Sequence, residues 1–147
     1  MAPERSKASV IARSFGAWML IATGAVHLEQ YFSVYYRVIP LIGPLFLANF
    51  AIGVVLGLVL LAPIERLSGR FGGLAALSGI VFAAGTIIAL EIAERGTLFG
   101  FHEHGYRIAI ILSIVFEGAA LVSLVAYLLG LRRRQAPTLR GAVSEAT

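Results

Sequence analysis

The sequence predicts an all-α fold, a four-helix transmembrane bundle, and three observations carry that expectation. Of the 147 residues, 59% are hydrophobic and 14% charged, whereas a water-soluble domain keeps about a quarter of its residues charged. Mean hydropathy is +0.87, and surplus apolar surface of that extent would aggregate in water. Four windows are each long and apolar enough to cross roughly 30 Å of hydrocarbon. Strand alternation is missing from them, so helices are the way this backbone satisfies its N–H and C=O groups in lipid.

The four spans fall at 14–36, 40–62, 72–92 and 106–131. The first is interrupted by His27, Glu29 and Gln30. The second is charge-free and opens on Pro40 and Pro44, where a missing N–H costs least because the first helical donors have no partner anyway. The third stays apolar as far as Glu91, and the fourth, from Ile108 on, contains Glu117 alone among charged residues. The basic segments 1–13 and 132–147, polar and rich in Ser, Thr and Ala with Pro137, read as disordered tails. No soluble domain is expected.

Basic residues set the orientation. Arg5, Lys7, Arg13, Arg66, Arg70, Arg132, Arg133, Arg134 and Arg140 fall on one side, against Arg37, Arg95 and Arg107 on the other. The positive-inside rule then places both termini in the cytoplasm of a bacterial inner membrane. Tyr31, Phe32, Tyr35, Tyr36, Phe99, Phe101 and Tyr106 gather at the outer interface, where aromatic rings are favoured. A basic start followed by the apolar run from Phe15 to Val26, with small residues Thr23 and Ala25, also fits a cleavable signal. The continuing run through Tyr36 and the even number of spans favour a retained helix. Leu28-Glu29 before Tyr36-Arg37 and Leu90-Glu91 before Tyr106-Arg107 form a weak two-plus-two echo.

Composition excludes several chemistries. With no cysteine, disulfides, thiolate metal sites, iron–sulfur clusters and thiol nucleophiles are out. The pI near 10 arises from bases flanking apolar segments, so anionic lipid headgroups, and not nucleic acid, are the expected partner. No nucleophile-and-base pair, phosphate loop or HExxH is present.

Helices in lipid associate through close packing of small residues. Gly53 and Gly57 supply one such face in span two, and Ala75, Gly79 and Ala83 another in span three. They serve contact within the bundle or self-association.

Depth arithmetic singles out a buried polar cluster. At about 1.5 Å per residue, His27 lies nine residues before Tyr36, Asn49 nine beyond Pro40 and Glu117 nine beyond Ile108, about 13 Å down. Thr86 lies somewhat higher in the same half. A carboxylate at that depth must be protonated or paired, and His27 is the natural partner, with Asn49 within the same group. Such a cluster either fixes packing or forms a proton, ion or small-ligand site.

A second polar concentration lies on the outer side: Glu91, Glu94, His102, Glu103 and His104. His102 and His104 offer two imidazoles for zinc or copper, but an HxH pair alone is unspecific. Glu91 to Arg95 and Glu103 to Arg107 have the spacing of salt-bridged helix ends. Haem would need two facing axial histidines, and only His27 lies within a span. No cofactor is therefore expected.

The stretches His27-Leu-Glu-Gln-Tyr31, Tyr36-Arg-Val-Ile-Pro40-Leu-Ile-Gly43-Pro-Leu-Phe46-Leu-Ala-Asn49 and Phe99-Gly-Phe-His-Glu103 resemble a group of small four-span bacterial membrane proteins with no assigned activity. Overall the chain is also similar to DoxX-like four-helix proteins. The resemblance covers about half the chain and implies a helical bundle in the membrane, but transfers no functional residue. Small multidrug transporters match poorly, because their glutamate sits in span one and the one here, Glu117, sits in span four. The sequence thus points to a non-enzymatic membrane protein, an accessory subunit or homo-oligomer held by small-residue faces. The alternative is a small proton-coupled transporter or a ligand- or metal-binding protein using Glu117 and His27.

Overall fold

The computed structural model describes residues 7–33, 35–63, 69–105 and 107–144, with backbone alone at 69, 70 and 134–144. Those residues form four helices and no strands: α1 (Lys7–Ser33), α2 (Ile42–Leu61), α3 (Gly69–Arg95) and α4 (Ile108–Ser144), with a 3-10 turn at Tyr35–Val38 between the first two. All four helices are long and apolar enough to cross a membrane.

The first span ends at Ser33 and the second opens at Ile42, leaving Pro40 before the helix, and two further boundaries differ more widely from the sequence expectation. Residues 7–13, expected in a disordered tail, are the opening turns of α1, and Ser9 and Arg13 within them are 7% and 4% exposed. Lys, Ala and Arg are good helix formers, and these turns pack toward Gly130 of α4, where an added Cβ would lie 3.8 Å from Ser9 Oγ. Likewise α4 continues through 132–144, past Pro137. Polar composition signalled disorder there, whereas Arg and Gln at 132–135 extend a helix already nucleated. Residues 1–6 and 145–147 of the expected tails lie outside the described residues.

Glycine contacts fix the packing. Cβ atoms built on Gly24, Gly53 and Gly57 would approach Phe50 O at 3.1 Å, Leu20 O at 2.7 Å and Ala17 O at 2.8 Å, so α1 and α2 run antiparallel at near backbone contact. On its other side α1 meets α4 through Gly16 against Leu124 and Thr23 against Glu117. Gly72 against Tyr127 and Gly79 against Leu124 then seat α3 on α4. The core comprises Ala17, Leu20, Leu60, Ala75, Ala76, Ala83, Ala120, Leu124 and Tyr127. Gly53, Gly57, Ala75, Gly79 and Ala83 are all spent on this internal packing. α2 and α3, although consecutive, touch far less than the other neighbouring pairs. They leave a cleft along that side of the bundle.

One end of the bundle carries the α1–α2 and α3–α4 connections. Leu41 sits at φ 66 just before α2, and Gly43 follows so closely that a Cβ would lie 2.9 Å from Arg37 O. In the other connection, Leu98 and Phe101 exchange backbone hydrogen bonds of 2.7 and 2.9 Å. The residues between them, Phe99 and Gly100, have φ 51 and 80, the left-handed pair of a two-residue hairpin turn.

Candidate cavity between α2, α3 and α4

Where α2 and α3 diverge, near the end carrying the two connections, the bundle holds a cavity of about 390 Å³. Its volume falls in the range of small-molecule sites. His27, Asn49, Thr86 and Glu117 all line it. The walls are otherwise apolar or aromatic, with Phe46, Phe82 and Phe101 prominent, and Tyr36 and Glu103 stand at its connection-bearing end.

The acid is held differently from the expectation. Glu117, 2% exposed, accepts a hydrogen bond of 3.2 Å from Thr23 Oγ1, with Thr86 also within side-chain hydrogen-bonding reach. His27 does not bond to it. Its Nδ1 donates instead to the Thr23 carbonyl one turn back, at 2.9 Å, and its ring packs against Phe46 at 5.2 Å. The antiparallel register explains the correction: Gly16 lies level with Leu124 and Thr23 with Glu117, which puts His27 one turn further along, level with Ser113. Depth counted from Tyr36 missed this because α1 ends at Ser33. Ser113 also lines the cavity, is 6% exposed, and its hydroxyl has no hydrogen-bond partner among the described residues. Serine is compatible with any helix face, so nothing in its type singled it out.

Tyr36, expected among the interfacial aromatics, is 3% exposed. Its hydroxyl donates to Glu103 and accepts from Arg107, and its ring lies 4.4 Å from Phe46 and 5.6 Å from Phe101. Arg107 also sits over the Tyr36 ring at 5.3 Å and pairs with Glu103 at 3.2 Å. The Glu103 backbone N–H is anchored on Ala93 O at 3.0 Å. Burial, then the Glu103 carboxylate, pushes the Tyr36 phenol well above the usual tyrosine range. Phe32, Tyr35 and Phe99 are exposed, and Tyr106 lies outside the described residues.

The rest of the second polar group does not converge. Glu91 pairs with Arg95 at 2.7 Å, and Glu94 keeps one buried carboxyl oxygen without a partner among the described residues. The His102 and His104 rings stand 4.4 Å apart, edge to face, but His102 Nδ1 donates to the Gly96 carbonyl. Among the described residues no group of three or more His, Cys, Asp or Glu is arranged to hold a metal ion.

Comparison with protein-family models, curated proteins and solved structures finds no match to this chain.

Proposed function

We propose that this chain is a multi-pass protein of a bacterial inner membrane, termini in the cytoplasm, that binds a small lipid-soluble molecule within its bundle. The observation that carries the reading is the cavity of about 390 Å³, with the buried Glu117 carboxyl and the unpartnered Ser113 hydroxyl in its wall. A buried polar side chain that faces a cavity in a membrane protein is costly unless a partner satisfies it. The orientation rests on the excess of Arg and Lys at the end with the termini. Self-association through the glycine and alanine faces loses its motivation, since those faces are occupied inside the bundle.

Gly85 provides the test. It lines the cavity, and a Cβ there would meet no atom within 4 Å, so Gly85→Phe fills the space without disturbing the backbone. Protein purified from membranes in mild detergent is expected to carry a small molecule, seen as added mass under native ionisation, that Gly85→Phe lacks. Equal masses for both proteins after correction for the substitution would overturn the reading.

A further inference from the structure

The lining of the cavity narrows the class of molecule, an inference that rests on the binding role proposed above. Three features bear on it. The first is charge: the lining contains two carboxyl groups, Glu103 and Glu117, and no Lys or Arg. Glu103 is already neutralised by Arg107. Glu117 has no ion-pair partner among the described residues, since hydroxyls are what reach it. An anionic ligand would face that carboxyl without compensation.

The second feature is hydrogen-bonding capacity. With its Nδ1 proton on the Thr23 carbonyl, a neutral His27 ring has Nε2 left, which is an acceptor. The Ser113 hydroxyl, with no partner among the described residues, and the Asn49 amide can each accept as well as donate. Around Glu117 the wall thus has acceptors for a head group rich in donors. Tyr36, Phe46, Phe82 and Phe101 add aromatic faces, which attract a cation held over them.

The third is access. Leu45, Ile52 and Val81 belong to the lining and are 40%, 46% and 65% exposed on the bundle's side. A shallow groove between α2 and α3, lined by Ile52, Leu56, Leu77, Ser78, Val81 and Phe82, continues from that opening. The way in is therefore lateral and apolar, from the hydrocarbon.

We infer that the cavity takes a lipophilic amine, its ammonium group on the Glu117 carboxylate beside Ser113 and His27, its apolar body between α2 and α3. The amine crosses the lateral opening uncharged, and a proton passing from Glu117 to the nitrogen completes the ion pair, so no other reactant is required.

A shape-matched probe set tests this: an adamantane cage bearing an amine, a hydroxyl or a carboxylic acid, each measured against the full chain in detergent with the radiolabelled amine as tracer. The amine is expected to bind at least about tenfold more tightly than the alcohol, with the acid weakest. In Glu117→Gln, a near-isostere, the amine should lose that advantage while the alcohol binds as before, which also reports that the variant is folded. Gly85→Phe should abolish binding of both. Alcohol and amine binding equally in wild type and in Glu117→Gln, yet lost in Gly85→Phe, would overturn the amine assignment and leave the cavity reading standing. Binding of all three probes unaffected by Gly85→Phe, or detected for none of them, would overturn both.

Discussion

Tyr36 and Glu103, 67 residues apart, are joined by a buried hydrogen bond from the phenol to the carboxylate, and this bond ties the α1–α2 connection to the α3–α4 connection. Arg107 closes the group by donating to both, so an acid, a base and a phenol satisfy one another where the cavity ends. The two connections, which also meet through the rings of Tyr36 and Phe101, are thereby fixed relative to each other.

Removing the phenol should be measurable. Tyr36→Phe keeps the ring packing on Phe46 and Phe101 but takes one donor from a carboxylate that is 8% exposed. A hydrogen bond to a charged group contributes about 1.5–3 kcal/mol, and that much loss is expected in thermal or denaturant unfolding in detergent. The pH dependence follows from the raised Tyr36 pKa. Stability from a group held neutral is fully present below its unfolded value, about 10, and is lost as pH rises from there through the folded value. The difference between wild type and Tyr36→Phe should therefore stay constant from about pH 6 to about pH 9 and shrink only above about pH 10. A difference that vanished at neutral pH would show that the bond contributes nothing.

Two glycines offer a contrast. An added Cβ on Gly53 would sit 2.7 Å from Leu20 O, a backbone atom that moves only with its helix, whereas Gly118 has nothing within 4 Å. Gly53→Ala should cost about 1–3 kcal/mol, the range of overpacking. Gly118→Ala should be neutral or stabilising by up to about 1 kcal/mol from helix propensity. Neither should alter the oligomeric state in detergent. A Gly53→Ala protein that stayed equally stable but changed in mass would mean that Gly53 serves contact between chains.

How far the fold and the cavity were legible follows from which quantities the sequence encodes. Spans were legible because hydrocarbon thickness converts directly into a run of apolar residues, and all four windows became helices. Depth was legible to about one turn, which sufficed to bring His27, Asn49, Thr86 and Glu117 to one cavity. Partner choice was not. Whether Glu117 meets His27 or Thr23 depends on the stagger between α1 and α4, set by Gly16 against Leu124, and a one-turn error exchanges the two. The left-handed Phe99 and the burial of Tyr36 were equally hidden, because both follow from how the connections fold back on each other.

Orientation can be checked cleanly because the chain has no cysteine. Thr97 is exposed in the α3–α4 connection; Ser68 falls in sequence between α2 and α3, outside the described residues, and the positive-inside rule puts the two positions on opposite sides. A membrane-impermeant maleimide added to intact cells should label Thr97→Cys, and should label Ser68→Cys only after the cells are opened. The reverse pattern would place the termini outside. Ser9, 7% exposed against α4, is a poor labelling position despite its place near the amino terminus.

The bond between Thr23 and Glu117 gives the most discriminating stability test, because it separates a packed polar contact from mere proximity. Thr23→Val preserves shape and removes the donor at 3.2 Å. Hydrogen bonds between helices in lipid average about 0.6 kcal/mol and reach about 1.7 kcal/mol, so a loss in that range is expected. Glu117→Gln keeps an acceptor for Thr23 and should cost less than Glu117→Ala, which opens a void and strands the Thr23 hydroxyl at 0% exposure. Glu29, exposed and bonded among the described residues to Ser33 within its own helix, is the control, and Glu29→Ala should stay within about 0.5 kcal/mol of wild type. The decisive measurement is the double-mutant cycle of Thr23→Val with Glu117→Ala, in which each single change removes the same bond. The combined variant should be about 0.5–1.5 kcal/mol more stable than additivity predicts. Strict additivity would mean that the two side chains do not interact, and Glu117 would then be held by Thr86 or by whatever occupies the cavity.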